Sequence, residues 1–348
     1  MKGGLLLVGH DPLTRLVRVA RLAEAAGYDY LWLADERFYR EVYVSLAFCA
    51  SRTSRVRLGP CVTDPYSRHP ALTAMAVATL DEISGQRAVL GIGAGISGFA
   101  ELGIKRENPA RAIREAVEVI RRLLAGDSVD YRGQVIQLHD GRLDFTPVRT
   151  ALPVYVASNG PLGQRVAGAV ADGAIMEACA TPEEARAFAG QVHRGAREEG
   201  RDPGGIELVA RLNACIGRDG GATREALRPR VARTLGAGRL RFATLDAQGI
   251  ALPAEARVSM AGVPYSAGVT PYLSLLPLIT DRMVDALTLA GTVEEVTERV
   301  LALGQAGIGQ IAIYPFAPPG GTVEETIRCF GEQVLPAARK ALGRRGRV

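Results

Sequence analysis

The stretch Leu58-Gly59-Pro60-Cys61-Val62-Thr63-Asp64-Pro65-Tyr66-Ser67-Arg68-His69-Pro70 leaves an apolar strand through small residues and Thr63, then turns through two prolines into a helix. Proline fixes φ and lacks an N–H, so it suits strand ends and first helical turns. The same strand–turn–helix unit recurs on both sides of this stretch. Near-continuous apolar runs at residues 4–8, 30–34, 56–62, 88–92, 154–157, 174–177, 206–215 and 310–314 read as strands buried on both faces. Helical periods follow at 13–26, 43–51, 70–83, 110–124, 162–171, 182–199, 293–306 and 323–341, with Thr181 and Thr292 as N-caps ahead of acidic first turns. Strands alternating with helices in this way predict an α/β chain folded as a (β/α)₈ TIM barrel, a single domain over residues 1–348.

Two segments break the repeat and are expected as insertions at the C-terminal face. Residues 126–150 read as short strands at 129–131 and 135–138 joined at Arg132-Gly133, lying over the rim. Residues 236–290 are rich in Gly, Ala, Pro and Leu with weak helical phasing, and read either as a lid or as a surface or dimer-contact excursion.

Composition narrows the function classes. At 47% hydrophobic residues the chain has ample material for a core, which excludes disorder. No stretch approaches the ~18 consecutive apolar residues of a membrane span. The first apolar run, residues 3–9, stops at His10-Asp11-Pro12 without a cleavage site, so it reads as the first strand of a cytoplasmic protein. The five cysteines form no C-x-x-C and the four histidines no H-x-x-x-H, so no metal is expected. A net charge of +5 with 5% aromatics lacks the footprint of a nucleic-acid binder. A small-molecule substrate remains.

Strand ends carry the candidate chemistry, because the C-terminal face of a barrel is where its catalytic groups sit. Gly91-Ile92-Gly93-Ala94-Gly95 invites a dinucleotide reading, but position 96 is Ile, so the third glycine of that fingerprint is missing, and four strand candidates end with this one, where a Rossmann half puts its fingerprint after the first. Its amides either approach a ligand phosphate or only form a tight turn. Ser158-Asn159-Gly160 leads into a helix; Ser158 or Asn159 caps it, with or without an anion on the free amides. Ala171-Asp172-Gly173-Ala174 is a turn that could complete the same cradle. Asp35 and Glu36 end the second strand, where Asp35 either hydrogen-bonds a ring or hydroxyl or acts as a cap or partner of Arg37. His10 ends the first strand with the same geometry, as a site group or a structural one.

Taken together, these segments resemble the luciferase-like family, in particular its methylene-tetrahydromethanopterin reductase-like branch. The opening stretch resembles that branch's V-T-N-P-Y-T-R-H-P signature. Asp35 with Arg40-Glu41-Val42-Tyr43 is similar to its D-H-x-x-x-R-D-V-Y, and Thr79-Leu80-Asp81-Glu82-Ile83-Ser84-Gly85-Gln86-Arg87 and Leu90-Gly91-Ile92-Gly93-Ala94-Gly95 resemble its next two motifs. The likeness covers about residues 1–235 and 290–340. One departure is Glu36, where the family has His. The resemblance implies an oxidoreductase passing a hydride between coenzyme F-420, a deazaflavin, and a small organic substrate, working as a homodimer. FMN-dependent monooxygenation on the same scaffold is the alternative, and a non-catalytic flavin- or phosphate-binding barrel is the reading from another class. It implies cofactor contacts from Asp35, Cys61, Val62, Thr63, Gly93, Ala94, Gly95, Ser158, Asn159, Gly160, Gly173 and Ala174, and a cis peptide at Cys61–Val62. Glu36, His10 and Glu177 are the acid–base candidates.

Overall fold

In the computed structural model, which describes residues 1–95, 99–238, 240–259, 263 and 267–345, the predicted strands close into a parallel barrel. The strands are β1 (Lys2–Val8), β2 (Tyr30–Ala34), β3 (Arg57–Pro60), β4 (Leu90–Gly93), then a hairpin of β5 (Val129–Arg132) and β6 (Gln137–Gly141), and then β7 (Val154–Ala157), β8 (Gly173–Glu177), β9 (Glu207–Ile216), β10 (Thr288–Gly291) and β11 (Gln310–Pro315). The barrel path runs β3-β2-β1-β11-β9-β8-β7-β4. It is closed between β3 and β4 by backbone bonds at two levels. Leu58 accepts from Val89 N–H at 3.0 Å and donates to Arg87 at 3.0 Å; higher up, Thr63 N–H donates to Gly91 at 3.1 Å and Thr63 accepts from Gly93 at 2.9 Å.

Between those levels the strands nearly touch. A Cβ on Gly59 would lie 1.9 Å from the Val89 carbonyl oxygen, and one on Gly91 would lie 2.2 Å from that of Pro60. The peptide joining Cys61 and Val62 is cis, and the Cys61 N–H turns to the Leu33 carbonyl at 2.8 Å. β3 ends at Pro60, short of the predicted 62.

Large rings fill the barrel interior below this level. Trp32 and Tyr30 stack with ring planes 7° apart, and Tyr155 meets both edge-on. Gly173 makes room for Tyr155, since a Cβ there would fall 2.2 Å from its ring. Trp32 Nε1 donates to Gln310 at 3.1 Å, and Tyr155 OH to Glu207 at 2.7 Å, so both buried polar handles are satisfied.

The helices α1 (Leu13–Ala25), α2 (Val42–Ala50), α3 (Pro70–Ser84), α4 (Pro109–Leu124), α5 (Pro161–Val170) and α6 (Pro182–Glu198) cover the outside, burying the main apolar core between themselves and the strands. Next come α7 (Gly220–Ala237), α8 (Ala254–Ser259), α9 (Asp281–Leu287), α10 (Val293–Gln305), α11 (Val323–Arg328) and α12 (Leu335–Arg345). Thr181 and Thr292 do cap α6 and α10, the latter in a full capping box with Glu295. Among the described residues no helix is long and apolar enough to cross a membrane.

Three elements differ from the sequence reading. The 126–150 segment forms a β-hairpin, and none of its residues is among those that line the cavity. It leaves the far end of α4 and climbs the outer wall, where Glu115 accepts N–H bonds from Gln134, Val135 and Ile136 at 2.9 Å each and His69 Nε2 donates to Gln137 at 2.9 Å. Helix α7 lies outside the predicted helical periods and carries Pro229 in its interior. β10 pairs with the upper half of β9, from Asn213 to Ile216, after β8 has left it. Around β10, α7 and α9 a second apolar core forms from Leu227, Val231, Tyr272, Leu275, Val284 and neighbours, so described residues of the 236–290 insertion, among them Leu245, Ile250 and Tyr272, pack into a core.

Glycine positions give opposite expectations. Gly59→Ala drives a methyl into a backbone oxygen and should cost about 3 kcal/mol or more. Gly190→Ala, in open space on α6, should add up to about 1 kcal/mol. Chemical denaturation of both variants checks the pair.

Candidate active site

The C-terminal ends of β2, β3, β4, β7, β8 and β9 surround a cavity of about 440 Å³. From β2 come Asp35, Glu36 and Arg37; from the end of β3, Cys61 and Val62; from β4, Gly93, Ala94 and Gly95. β7 supplies Ser158, Asn159 and Gly160, β8 supplies Glu177, β9 supplies Arg211, and the insertion supplies Leu240 and Arg241. A larger groove of about 830 Å³ lies by the starts of α7 and α10, where Asp219 caps α7 by accepting from Ala222 N–H and Thr292 caps α10 by accepting from Glu295 N–H.

The turn after Thr63 fixes the acidic side of the cavity. Asp64, fully buried, accepts from the N–H groups of Tyr66 and Ser67 at 2.8 Å and from the Ser67 hydroxyl at 2.7 Å. It also holds the Arg37 guanidinium, which in turn sits 3.6 Å from Asp35. His69 caps α3 through Nδ1, which accepts from Ala71 N–H at 3.2 Å, so that ring is structural. Burial raises the Asp35 carboxyl above its ordinary 3.8, opposed by the nearby Thr63 hydroxyl and by Arg37. Burial likewise pushes the Cys61 thiol up to about 12, so it faces the cavity protonated and is no nucleophile.

On the other side Ser158 and Asn159 do not cap α5, contrary to the sequence expectation. Ser158 Oγ accepts from Gly160 N–H at 3.1 Å. Asn159 brackets the Glu177 backbone, donating to its carbonyl at 2.7 Å and accepting its N–H at 3.2 Å. Gly160 is the N-cap, and no side chain bonds the first turn. The N-cap Gly160 lines the cavity, and because Pro161 has no N–H the donors left at this helix start are the amides of Leu162 and Gly163, a setting that suits an anion. Glu177 is held by Arg211.

Four candidates are not brought into the cavity. Gly173 and Ala174 begin β8 at the opposite end of the barrel, where Gly173 clears space for Tyr155; a phosphate cradle there is corrected. Thr63 is fully buried and stitches β3 to β4 through its backbone. His10 sits outside the cavity lining, 3.7 Å from Asp11 and in ring contact with Tyr39. The sequence reading missed Arg106, Arg211, Leu240 and Arg241. Of these only Arg211 left a signal, a charge inside an apolar strand in phase with Val209.

A family profile described as luciferase-like monooxygenase matches residues 1–310. The chain belongs to that family. Within it, the chain is 32% identical over 97% of its length to a 5,10-methylenetetrahydromethanopterin reductase of Archaeoglobus fulgidus, covering 99% of that protein. It is 29% identical over 83% of its length to a phthiodiolone/phenolphthiodiolone dimycocerosates ketoreductase of Mycobacterium tuberculosis, covering 76% of it. The solved coenzyme F-420-dependent tetrahydromethanopterin reductase of Methanopyrus kandleri superposes with a TM-score of 0.81 at 27% identity, over 96% of this chain and 98% of that one. The chain thus falls in the reductase-like branch of the luciferase-like family, as its motifs implied.

Asp35 generates a pH prediction. Its folded carboxyl takes up a proton more readily than the unfolded one, so the stability it contributes is complete below the ordinary value and is lost as pH rises through the raised one. Asp35→Asn should therefore melt higher than wild type near about pH 7, with the advantage gone near about pH 3. An equal difference at both pH values, measured by thermal melts, would contradict it.

Proposed function

We propose that the protein is a deazaflavin-dependent reductase that delivers hydride from reduced coenzyme F-420 to the one-carbon group of a methylene-bearing pterin. The observation that carries this reading is the wall itself: Asp35 and Glu36 stand at the end of β2, and among the described residues no imidazole lines the cavity. A methylene group between two amine nitrogens accepts hydride once it has opened to an iminium cation, and fixed carboxylates stabilise that charge in a water-poor site. Alcohol oxidation instead calls for a base poised near neutrality, most often His. The reductase relatives support the same assignment.

When bound, the deazaflavin supplies the hydride. The residues present suit it. The uncapped start of α5 offers amides to a phosphate, and Asp35 offers a carboxylate to a ring or hydroxyl. The backbone at Cys61–Val62 forms the wall between β2 and β4, where a Cβ on Gly93 would lie 2.9 Å from Val62. Asn159 and Arg211 hold Glu177 in place at the rim. FMN on the same scaffold is the competing cofactor.

Purified protein should oxidise reduced F-420 in the presence of methylene-tetrahydromethanopterin, with Glu36→Gln lowering kcat by about tenfold or more. Turnover with secondary alcohols alone, or tighter binding of FMN than of F-420, would overturn the reading.

We also infer a homodimer. The outward stripe of α3 carries Leu72, Met75 and Ile83 at helical spacing, and the adjoining α2 carries Val44 and Phe48, all exposed. A solvated helix face normally carries charge at such positions, and a two-helix apolar face is self-complementary about a two-fold axis. Met75→Glu should shift the protein to monomer in sedimentation velocity; an unchanged sedimentation coefficient would count against this face.

A further inference from the structure

Glu184 stands in the first turn of α6, only 2% exposed, yet the bonds its carboxylate accepts come from elsewhere in the chain. Oε1 accepts from Ala243 N–H at 2.8 Å; Oε2 accepts from Thr244 N–H at 2.9 Å and from the Thr244 hydroxyl at 2.7 Å. All these donors belong to the loop that leads from α7 into the insertion. A buried carboxylate saturated by one loop fixes that loop, because releasing any donor leaves a buried charge short of partners. Immediately before the clamped residues, Leu240 and Arg241 form part of the cavity wall.

Arg241 shares that cavity with Arg106, which donates to the Gly95 carbonyl and lies 5.2 Å over the Phe99 ring. The other two guanidinium groups there are engaged, Arg37 by Asp64 and Arg211 by Glu177. Among the described residues neither Arg106 nor Arg241 has a carboxylate partner. Two guanidinium groups without a carboxylate partner, together with Gly160 at the N-cap of α5, thus line one space, a combination that suits a phosphate or carboxylate.

We propose that Arg106 and Arg241 bind an anionic group of the ligand, and that Glu184 is the positioning residue that holds Arg241 in the cavity wall. This rests on the cavity being the ligand site. The anion belongs to the cofactor tail or to the substrate, and the arms of the test separate the two.

Wild type and variants are titrated with F-420 and with its chromophore–ribityl fragment, which lacks phosphate and carboxylates, following the emission of Trp32, the single tryptophan. Substrate KM is measured in parallel. Arg106→Gln and Arg241→Gln should each weaken F-420 binding about tenfold and leave the fragment unchanged if the anion is on the cofactor, or raise KM alone if it is on the substrate. Glu184→Gln and the milder Thr244→Val should move the same quantity in the same direction and speed tryptic cleavage after Arg241. Inorganic phosphate gives an arm independent of cofactor identity, raising Tm of wild type and not of the double arginine variant. Failure of F-420 and its fragment to bind, with the phosphate shift intact, would sink the proposed cofactor and leave this site standing. An unchanged F-420-to-fragment ratio, an unchanged KM and no phosphate shift would overturn the site.

Discussion

The approach of β3 to β4 sets the geometry on which everything above it depends. Two glycines, Gly59 and Gly91, let one backbone lie against the other where any side chain would meet a carbonyl oxygen. Backbone bonds seal the barrel below and above that contact. Cys61 and Val62, which follow β3 in the chain and are joined by a cis peptide, line the cavity. The acidic side of the site follows directly, because Asp64 comes next in the chain, organises the turn and anchors Arg37 beside Asp35.

Depth is set from below. The stacked Trp32 and Tyr30 with Tyr155 across them plug the interior, and their polar atoms are satisfied by Gln310 and Glu207 rather than by anything in the cavity. A ligand therefore meets a floor of satisfied, close-packed side chains, and only strand ends and loops are left to distinguish one ligand from another. This division explains how one barrel accommodates relatives named for a pterin reductase and for a ketoreductase.

The barrel strands were legible because parallel strands buried on both faces write themselves as unbroken apolar runs. So were most cavity-lining positions contributed by strand ends: Asp35, Cys61, Val62, the Gly93–Gly95 turn and Ser158–Gly160 all line the same cavity. Other features depend on three-dimensional neighbours that periodicity does not encode. Gly173 reads as a ligand-approach glycine and in fact yields to the Tyr155 ring of the preceding strand, β7. Arg106 and Arg241 reach the cavity from loops that carry no repeat. Helix α7 carries an interior proline, Pro229, and the Glu115 carboxylate that fastens the hairpin lies among the buried residues of α4, so neither the helix nor the hairpin's contacts are written in a one-dimensional period.

The fork in β9 has a consequence for how the molecule tolerates change. Its lower half pairs with β8 and its upper half with β10, so the chain builds two apolar cores on one strand, with Phe242 packed against both. Substitutions confined to one core should add nearly independently to those in the other. The layer over the mouth can then be rebuilt residue by residue, swapping the shape of what is admitted, while the barrel beneath keeps its closure and its floor. Phe242, packed against both cores, and Glu184, whose carboxylate holds Ala243 and Thr244, are positions where that modularity ends.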